Sequence, residues 1–297
     1  MIGLQAALRA TPFALTAELA PMPDAAALLA RAQRLRDHVD AIQITQNPGL
    51  RPLGSPLLAA RILREAGMEP VLHLNCRDRN RIALQGELLG AATAGVMALL
   101  LTRNVPMRVG RSARKHAVFD FGARQLIAAA RRIRDGVPAQ YGLAQAPDFF
   151  IGTLATVFDA GPDWQPTSLI RKLDSGAHWV QTQLCMNLPV LRRYMRSFVT
   201  AQLTRRVHVV ATVAPLLSAE SARRLRTNMR RAVVPEILVR RVEQAQDPEQ
   251  TGVQICAELL SELASVPGIS GAHIIAPGDP DLVRAVIDAS GLRKRAA

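Results

Sequence analysis

Glu18, His73, Lys172 and Gln183 stand in or beside short apolar runs, and their side chains could do chemistry there. Glu18 lies near the end of FALTAELA. A carboxyl group in such a place can act as a general acid when burial favours its neutral form. It can equally be a structural hydrogen-bond acceptor. His73 interrupts the run Val71-Leu72-His73-Leu74, where a satisfied core histidine is the commoner outcome. The next segment, Arg77-Asp78-Arg79-Asn80, could clamp an anion, while Asp78 could also cap the following helix. Gln183 closes WVQTQ. Its amide can pair with the donor–acceptor edge of a heterocycle, or simply meet solvent. Lys172 falls on a helix, where a solvated charge is the usual reading.

These residues need a frame, and the stretch 70–106 supplies its unit. An apolar run at 71–74 opens into polar residues, a helix is predicted over 81–94, Gly95 stops it, and 96–101 is a second apolar run. Two such runs joined by a helix make a βαβ unit. The polar residues follow each strand, at the end where α/β sheets place ligands. That points to 73–80 and to Thr102-Arg103-Asn104.

The unit repeats in both directions. Strands are expected at 13–20, 39–45, 149–155, 179–184, 207–213 and 269–276. Helices are expected at 25–38, 55–66, 123–135, 167–175, 188–202, 219–231, 235–246, 248–264 and 280–289. Residues 105–121 and 136–147 have no clear period. Eight strands alternating with helices predict an α/β fold, a single (β/α)8 barrel with extra helices near the C-terminus. Residues 1–297 are read as one domain. An open doubly wound sheet is the runner-up.

Composition narrows the function. The formal charge is +13, from 37 basic and 24 acidic residues, and arginine dominates. Such a balance permits nucleic-acid binding. Yet the arginines scatter over many helices, and aromatics make up only 4%, so stacking platforms for bases are few. Polyanionic substrates or cofactors account for the charge as well. Cys76, Cys185 and Cys256 form no C-x-x-C and no zinc spacing, so no metal is expected. Sparse cysteines, and no apolar run of membrane-spanning length, predict a cytoplasmic protein without a membrane partner. No dinucleotide or mononucleotide phosphate loop and no nucleophile elbow is present.

Taken in order, AELAP, ITQNP, HLNCRDRNRIAL, VFDFGARQLI, DFFIGTLA, KLDSGAHWVQTQ and PEQTGVQICAELLSELASVPGISGAHI resemble the methylenetetrahydrofolate reductase family. The resemblance covers nearly the whole chain and implies a flavin-containing barrel. It implies FAD as cofactor, NAD(P)H as reductant, and hydride transfer to the methylene carbon of methylene-tetrahydrofolate or a related pterin. By motif position Glu18 becomes the acid that opens the folate ring, and Gln183 a folate contact. Thr45, His73 and Lys172 become flavin contacts.

Several positions depart from the family's pattern. Its fourth-strand loop, R-G-D-x-P or T-G-D-H-P, is Thr102-Arg103-Asn104-Val105-Pro106 here. Arg103 replaces the glycine and is the candidate to pair with the flavin pyrophosphate; Asn104 replaces the aspartate near the pterin. Thr156-Val157 replaces N-P or Y-P, and Gln46 an aspartate. Weaker flavin retention than the family norm is therefore expected. A second reading follows: a catalytically impaired barrel that keeps the pterin pocket and acts as a binding or complex-forming subunit. A homo-oligomer is compatible with either.

Overall fold

The computed structural model describes residues 1–46, 53–77, 79–104, 120–136, 141–161, 164–229, 231–276 and 279–293. The chain begins with α1 (Leu4–Ala10), β1 (Ala14–Leu19), α2 (Ala25–Gln33), β2 (Ala41–Ile44), α3 (Pro56–Glu65) and β3 (Pro70–Asn75). Next come α4 (Arg81–Thr93), β4 (Ala98–Thr102), α5 (Ala123–Asp135), β5 (Phe150–Ala155), α6 (Thr167–Asp174) and β6 (Trp179–Leu184). Then follow α7 (Leu188–Thr200), β7 (His208–Val213), α8 (Ala219–Asn228), α9 (Glu236–Glu243), α10 (Pro248–Leu263), β8 (Ile269–Ile274) and α11 (Pro280–Ser290). Local chemistry sets many starts. The side chains of Asp24, Ser55, Asn80, Asn187, Asp247 and Asp279 each accept a hydrogen bond from the first turn they precede. Asn80, rather than Asp78, caps α4, accepting from the Ala83 amide at 2.8 Å. Asp78 lies outside the described residues, as do Asn47, Pro48 and most of 105–121.

The eight strands run parallel in chain order and close on themselves. Closure is the β1–β8 pairing, with Thr16 opposite His273 and Ala17 opposite Ile274. That pairing rules out the open doubly wound sheet. All strand carboxyl ends therefore share one mouth.

Alternation gives each strand two different faces. Leu15, Ala17 and Leu19, Ile42 and Ile44, Leu72 and Leu74, and their counterparts pack outward under the helices as one large core. The inward residues form two zones. At the amino-terminal end Ala14, Ala41, Val71, Leu100, Phe150, Trp179 and Val210 make an apolar floor. Leu4, Ala7 and Leu8 of α1 plug it from below. Nothing in the sequence reading anticipated α1, because seven residues make no stable helix alone. The exposed floor of the barrel supplies what the segment lacks. Above the floor the lumen is polar: Thr16, Gln43, Thr45, Asn75, Thr102, Gln181, Thr212 and His273 are all buried. A barrel interior is ordinarily filled by branched apolar side chains. Buried polar groups cost stability unless they are partnered, so this composition points to a ligand or to chemistry.

The extra helices fall between β7 and β8. After α8 the chain returns to the end of β6, where Cys185 bridges to Val233. The Met186 amide donates to the Val233 carbonyl at 2.7 Å, and the Val233 amide to the Leu184 carbonyl at 2.9 Å. This return places Arg231 over the mouth.

Candidate active site

Glu18 is the fifth residue of β1, on the lumen face, with its side chain 14% exposed. Its carboxylate Oε2 lies 4.0 Å from Nε2 of His273, whose side chain is completely buried on β8. The other imidazole nitrogen, Nδ1, is 2.9 Å from the Thr16 hydroxyl. His73, on β3, shares its Nε2 with the Thr102 hydroxyl at 3.0 Å. So the mouth of β1, β3, β4 and β8 holds one carboxylate, two imidazoles and two hydroxyls. His73 Nδ1, Asn75 Nδ2, Gln181 Oε1 and His273 Nε2 are buried with no hydrogen-bond partner among the described residues. Four such atoms in one lumen are what a bound polar group would satisfy.

Between β2 and β3 the site is tied by side chain to backbone. Gln46 Oε1 accepts from the Asn75 amide at 2.5 Å, and Asn75 Oδ1 from the Arg77 amide at 3.0 Å. Thr45, just past β2, is buried beside them. The Gln46 that replaces a family aspartate thus has a positional role here. Past β4, the Arg103 guanidinium lies near Cys76, where it opposes the rise that burial imposes on the thiol, to about 11. The left-handed backbone of this loop falls on Asn104, φ 60°, not on Arg103. Asparagine tolerates that region and arginine does not have to adopt it, so loss of the loop glycine leaves no strain at Arg103.

On the far side, the Thr156 hydroxyl donates to Gln183 Oε1 at 3.3 Å, and Arg231 Nη1 reaches the same hydroxyl at 3.4 Å. Arg231 is itself left-handed, φ 67°. Lys172 corrects the sequence expectation. It is not a solvated charge: its ammonium donates to the Leu154 carbonyl at 2.7 Å, near the end of β5, and burial lowers its pKa. The hydrogen bond to Leu154 holds this helix-borne lysine against β5. A cavity of about 280 Å³ adjoins the mouth at the ends of β7 and β8. Pro215, Leu225, Ile275 and Leu282 line it, with Arg224 and Asp279 at its polar side.

Glu18, Thr45, Arg103, Asn104 and Gln183 therefore sit at or just beyond strand carboxyl ends of one closed parallel barrel, and His73 lies two residues before the end of β3. Thr16, Gln181, Arg231 and His273 were not singled out from sequence. For Thr16 and Gln181 a signal was present, polar residues two apart in ALTAEL and WVQTQL; His273 in ISGAHI and Arg231 after α8 carried none. Apolar residues on both sides hid the signal of the first two.

The His73 imidazole carries a consequence for stability. Burial pulls its pKa from 6.5 to about 4; the Glu18 carboxylate pulls the other way, and His273 adds to the lowering. The folded state thus refuses a proton that the unfolded chain accepts. Stability from this group is complete above about pH 6.5 and is lost as pH falls toward 4. Linkage puts that loss at about 3 kcal/mol. Urea unfolding of the wild type at pH 7 and pH 4 should differ by that much more than unfolding of His73→Gln. Equal pH dependence in the two proteins would refute it.

No group of three metal-ligating side chains occurs among the described residues. No helix among them is long and apolar enough to cross a membrane. Fold and site together define a parallel (β/α)8 barrel with a polar, acid- and imidazole-bearing mouth. The chain belongs to the methylenetetrahydrofolate reductase family, whose sequence profile matches residues 5–291. Among solved structures, it is similar to an uncharacterized protein from Clostridium thermocellum that binds two copies of 5-methyl-5,6,7,8-tetrahydrofolic acid. Identity is 12%, TM-score 0.67, and 96% of each chain is covered. It is also similar to the EDTA monooxygenase EmoA from Chelativorans sp. BNC1, at 12% identity and TM-score 0.55, over 94% of this chain and 92% of that one. At such identities these likenesses speak for the fold. No curated protein sequence matches.

Proposed function

We propose that this protein is a methylenetetrahydrofolate reductase-like oxidoreductase, moving hydride from NAD(P)H through FAD to the methylene carbon of a methylene-tetrahydropterin. The observation that carries the reading is Glu18 in the lumen of a family barrel, facing the fully buried His273 and close enough to His73 to act on its charge. A carboxyl so held can protonate the nitrogen that leaves when the folate ring opens. Gln183, with its amide oxygen already engaged by Thr156, keeps its NH₂ for a pterin edge. Asn104 offers an uncharged contact on the β4 side. The structural neighbour that binds 5-methyltetrahydrofolate supports a reduced folate as ligand.

The residues present fit a flavin. The unpartnered lumen atoms of His73 and Asn75 can meet a heterocycle's polar edge. Arg103 and Lys172 carry the positive charge to balance a pyrophosphate, and Thr45 can offer a hydroxyl at the end of β2. The flavin supplies the hydride relay between nicotinamide and folate. Three buried free cysteines fit a cytoplasmic setting. The second reading, a binding or complex-forming subunit, draws on Arg103 and Asn104 standing where the family carries glycine and aspartate.

A spectrum separates the two. Purified protein incubated with FAD and desalted should keep a flavin absorbance band that NAD(P)H bleaches and methylene-tetrahydrofolate restores. Binding of 5-methyltetrahydrofolate without flavin uptake would favour the second reading. Neither flavin nor folate binding would remove both.

A further inference from the structure

Arg231 stands over the mouth in a conformation that arginine does not favour. Its φ is 67°, in the left-handed region, where a side chain crowds its own carbonyl oxygen. Pairing on either side holds it there. The Ala232 amide donates to the Met229 carbonyl at 2.9 Å, and Val233 is bonded to the end of β6. The side chain gains little inside the chain to offset this. Among the described residues it makes one hydrogen bond, from Nη1 to the Thr156 hydroxyl, 3.4 Å long and exposed. It makes no ion pair among them, whereas Arg223, Arg224 and Arg226 on the preceding helix each hold a glutamate. Strain that nothing inside the chain offsets points to a ligand. We propose that Arg231 holds the pyrophosphate of the nicotinamide dinucleotide while that reductant is in the mouth. The proposal rests on the oxidoreductase reading above.

A guanidinium meets an oxyanion with two parallel N–H donors. Two ligands of the proposed reaction, besides the flavin, carry one: the pterin in its tail carboxylates, and the nicotinamide dinucleotide in its phosphates. Position separates them. Arg231 Nη1 and Gln183 Oε1 share the Thr156 hydroxyl, at 3.4 and 3.3 Å. A pterin with its edge on Gln183 carries its carboxylates at the opposite end, beyond the benzoyl ring and out of reach of Arg231. In the dinucleotide one ribose separates the nicotinamide ring from the first phosphate. A ring at the strand ends then brings that phosphate to the return segment above them. The flavin's own pyrophosphate has Arg103 and Lys172, on the β4 and β5 side. Arg231 is exposed, so it can take up the reductant and release it oxidised before the pterin enters.

Arg231→Gly is the decisive variant, because glycine adopts a left-handed φ without strain. It should raise the urea midpoint by about 0.3 M while weakening the reductant. Flavin reduction is then followed with reduced nicotinamide mononucleotide and with its riboside, which lacks only the phosphate. The wild type should be half-saturated by the mononucleotide at about tenfold lower concentration than by the riboside, the low end for a bond to a charged group, since Arg231 is exposed. That preference should vanish in Arg231→Gly and survive in part in Arg231→Lys. Calorimetric titration with oxidised nicotinamide mononucleotide, which passes no hydride, should show the same tenfold loss. Gln202→Gly, at the other left-handed position between α7 and β7, φ 53°, should gain stability alone. A lower midpoint in Arg231→Gly would overturn the proposal, as would a preference that survives it or is missing in the wild type. So would a loss of affinity confined to 5-methyltetrahydrofolate, which would put the tail carboxylates on Arg231 instead. If the riboside reduces flavin equally in both proteins, the enzyme reading stands even where the role of Arg231 fails. If no nucleotide reduces flavin, that reading fails, and the calorimetric result alone decides whether Arg231 takes a phosphate.

Discussion

Glu18→Gln should abolish reduction of methylene-tetrahydrofolate while flavin reduction by NAD(P)H continues nearly unchanged. Glutamine matches glutamate in size and keeps hydrogen-bonding capacity toward His273, so the mouth should keep its shape. It has no acidic proton to give. Opening the folate ring expels a nitrogen, and without a proton that nitrogen leaves poorly. Removing a positioned acid costs on the order of a thousandfold, about 4 kcal/mol of barrier. The flavin half-reaction passes hydride between two cofactors and involves no folate. Stopped-flow measurement of each half-reaction separates the cases. Equal loss in both would make Glu18 a structural residue, like the acceptor role weighed for it from sequence. Retained folate reduction would put the acid elsewhere.

Gly252→Ala should destabilise the fold by about 3 kcal/mol, at the upper end of what overpacking costs. Gly252 lies near the start of α10 and is buried. A Cβ there would stand 1.9 Å from the Leu216 carbonyl oxygen and 2.5 Å from its carbonyl carbon. Both are backbone atoms of the segment that leaves β7, so no side-chain rotation relieves the contact. Either α10 or that segment must move, and the second frames the mouth beside Pro215. Gly86, in α4, is the control: an added Cβ meets nothing within 4 Å. Alanine there should stabilise by about 0.5–1 kcal/mol, the ordinary helix-interior difference. Urea unfolding of the two variants should shift in opposite directions. A neutral Gly252→Ala would mean that α10 docks with more freedom than its contact with Leu216 implies.

What the sequence determined by itself was what depends on near neighbours along the chain. Apolar periodicity marks the strands and most helices within a few residues of their observed limits. Asn80 and Asp279 cap because a short polar side chain reaches the amides of the next turn, whatever lies beyond. The ordered motifs carry the family, and strand-end positions carry Glu18, His73 and Gln183 to one mouth once the barrel closes. Tertiary structure decided the rest. Only closure of β1 on β8 joins Thr16 to His273, 257 residues apart, and so gives Glu18 a neighbour. The floor of the finished barrel makes α1 a helix. Its bond to the carbonyl of Leu154, 18 residues earlier on β5, holds Lys172 half-buried, against the ordinary habit of a surface lysine. The polar lumen was written in the sequence as every second residue of several strands. Which of the two faces it would occupy is a property of the closed sheet, because a strand's alternation acquires an inside only when its neighbours complete the circle.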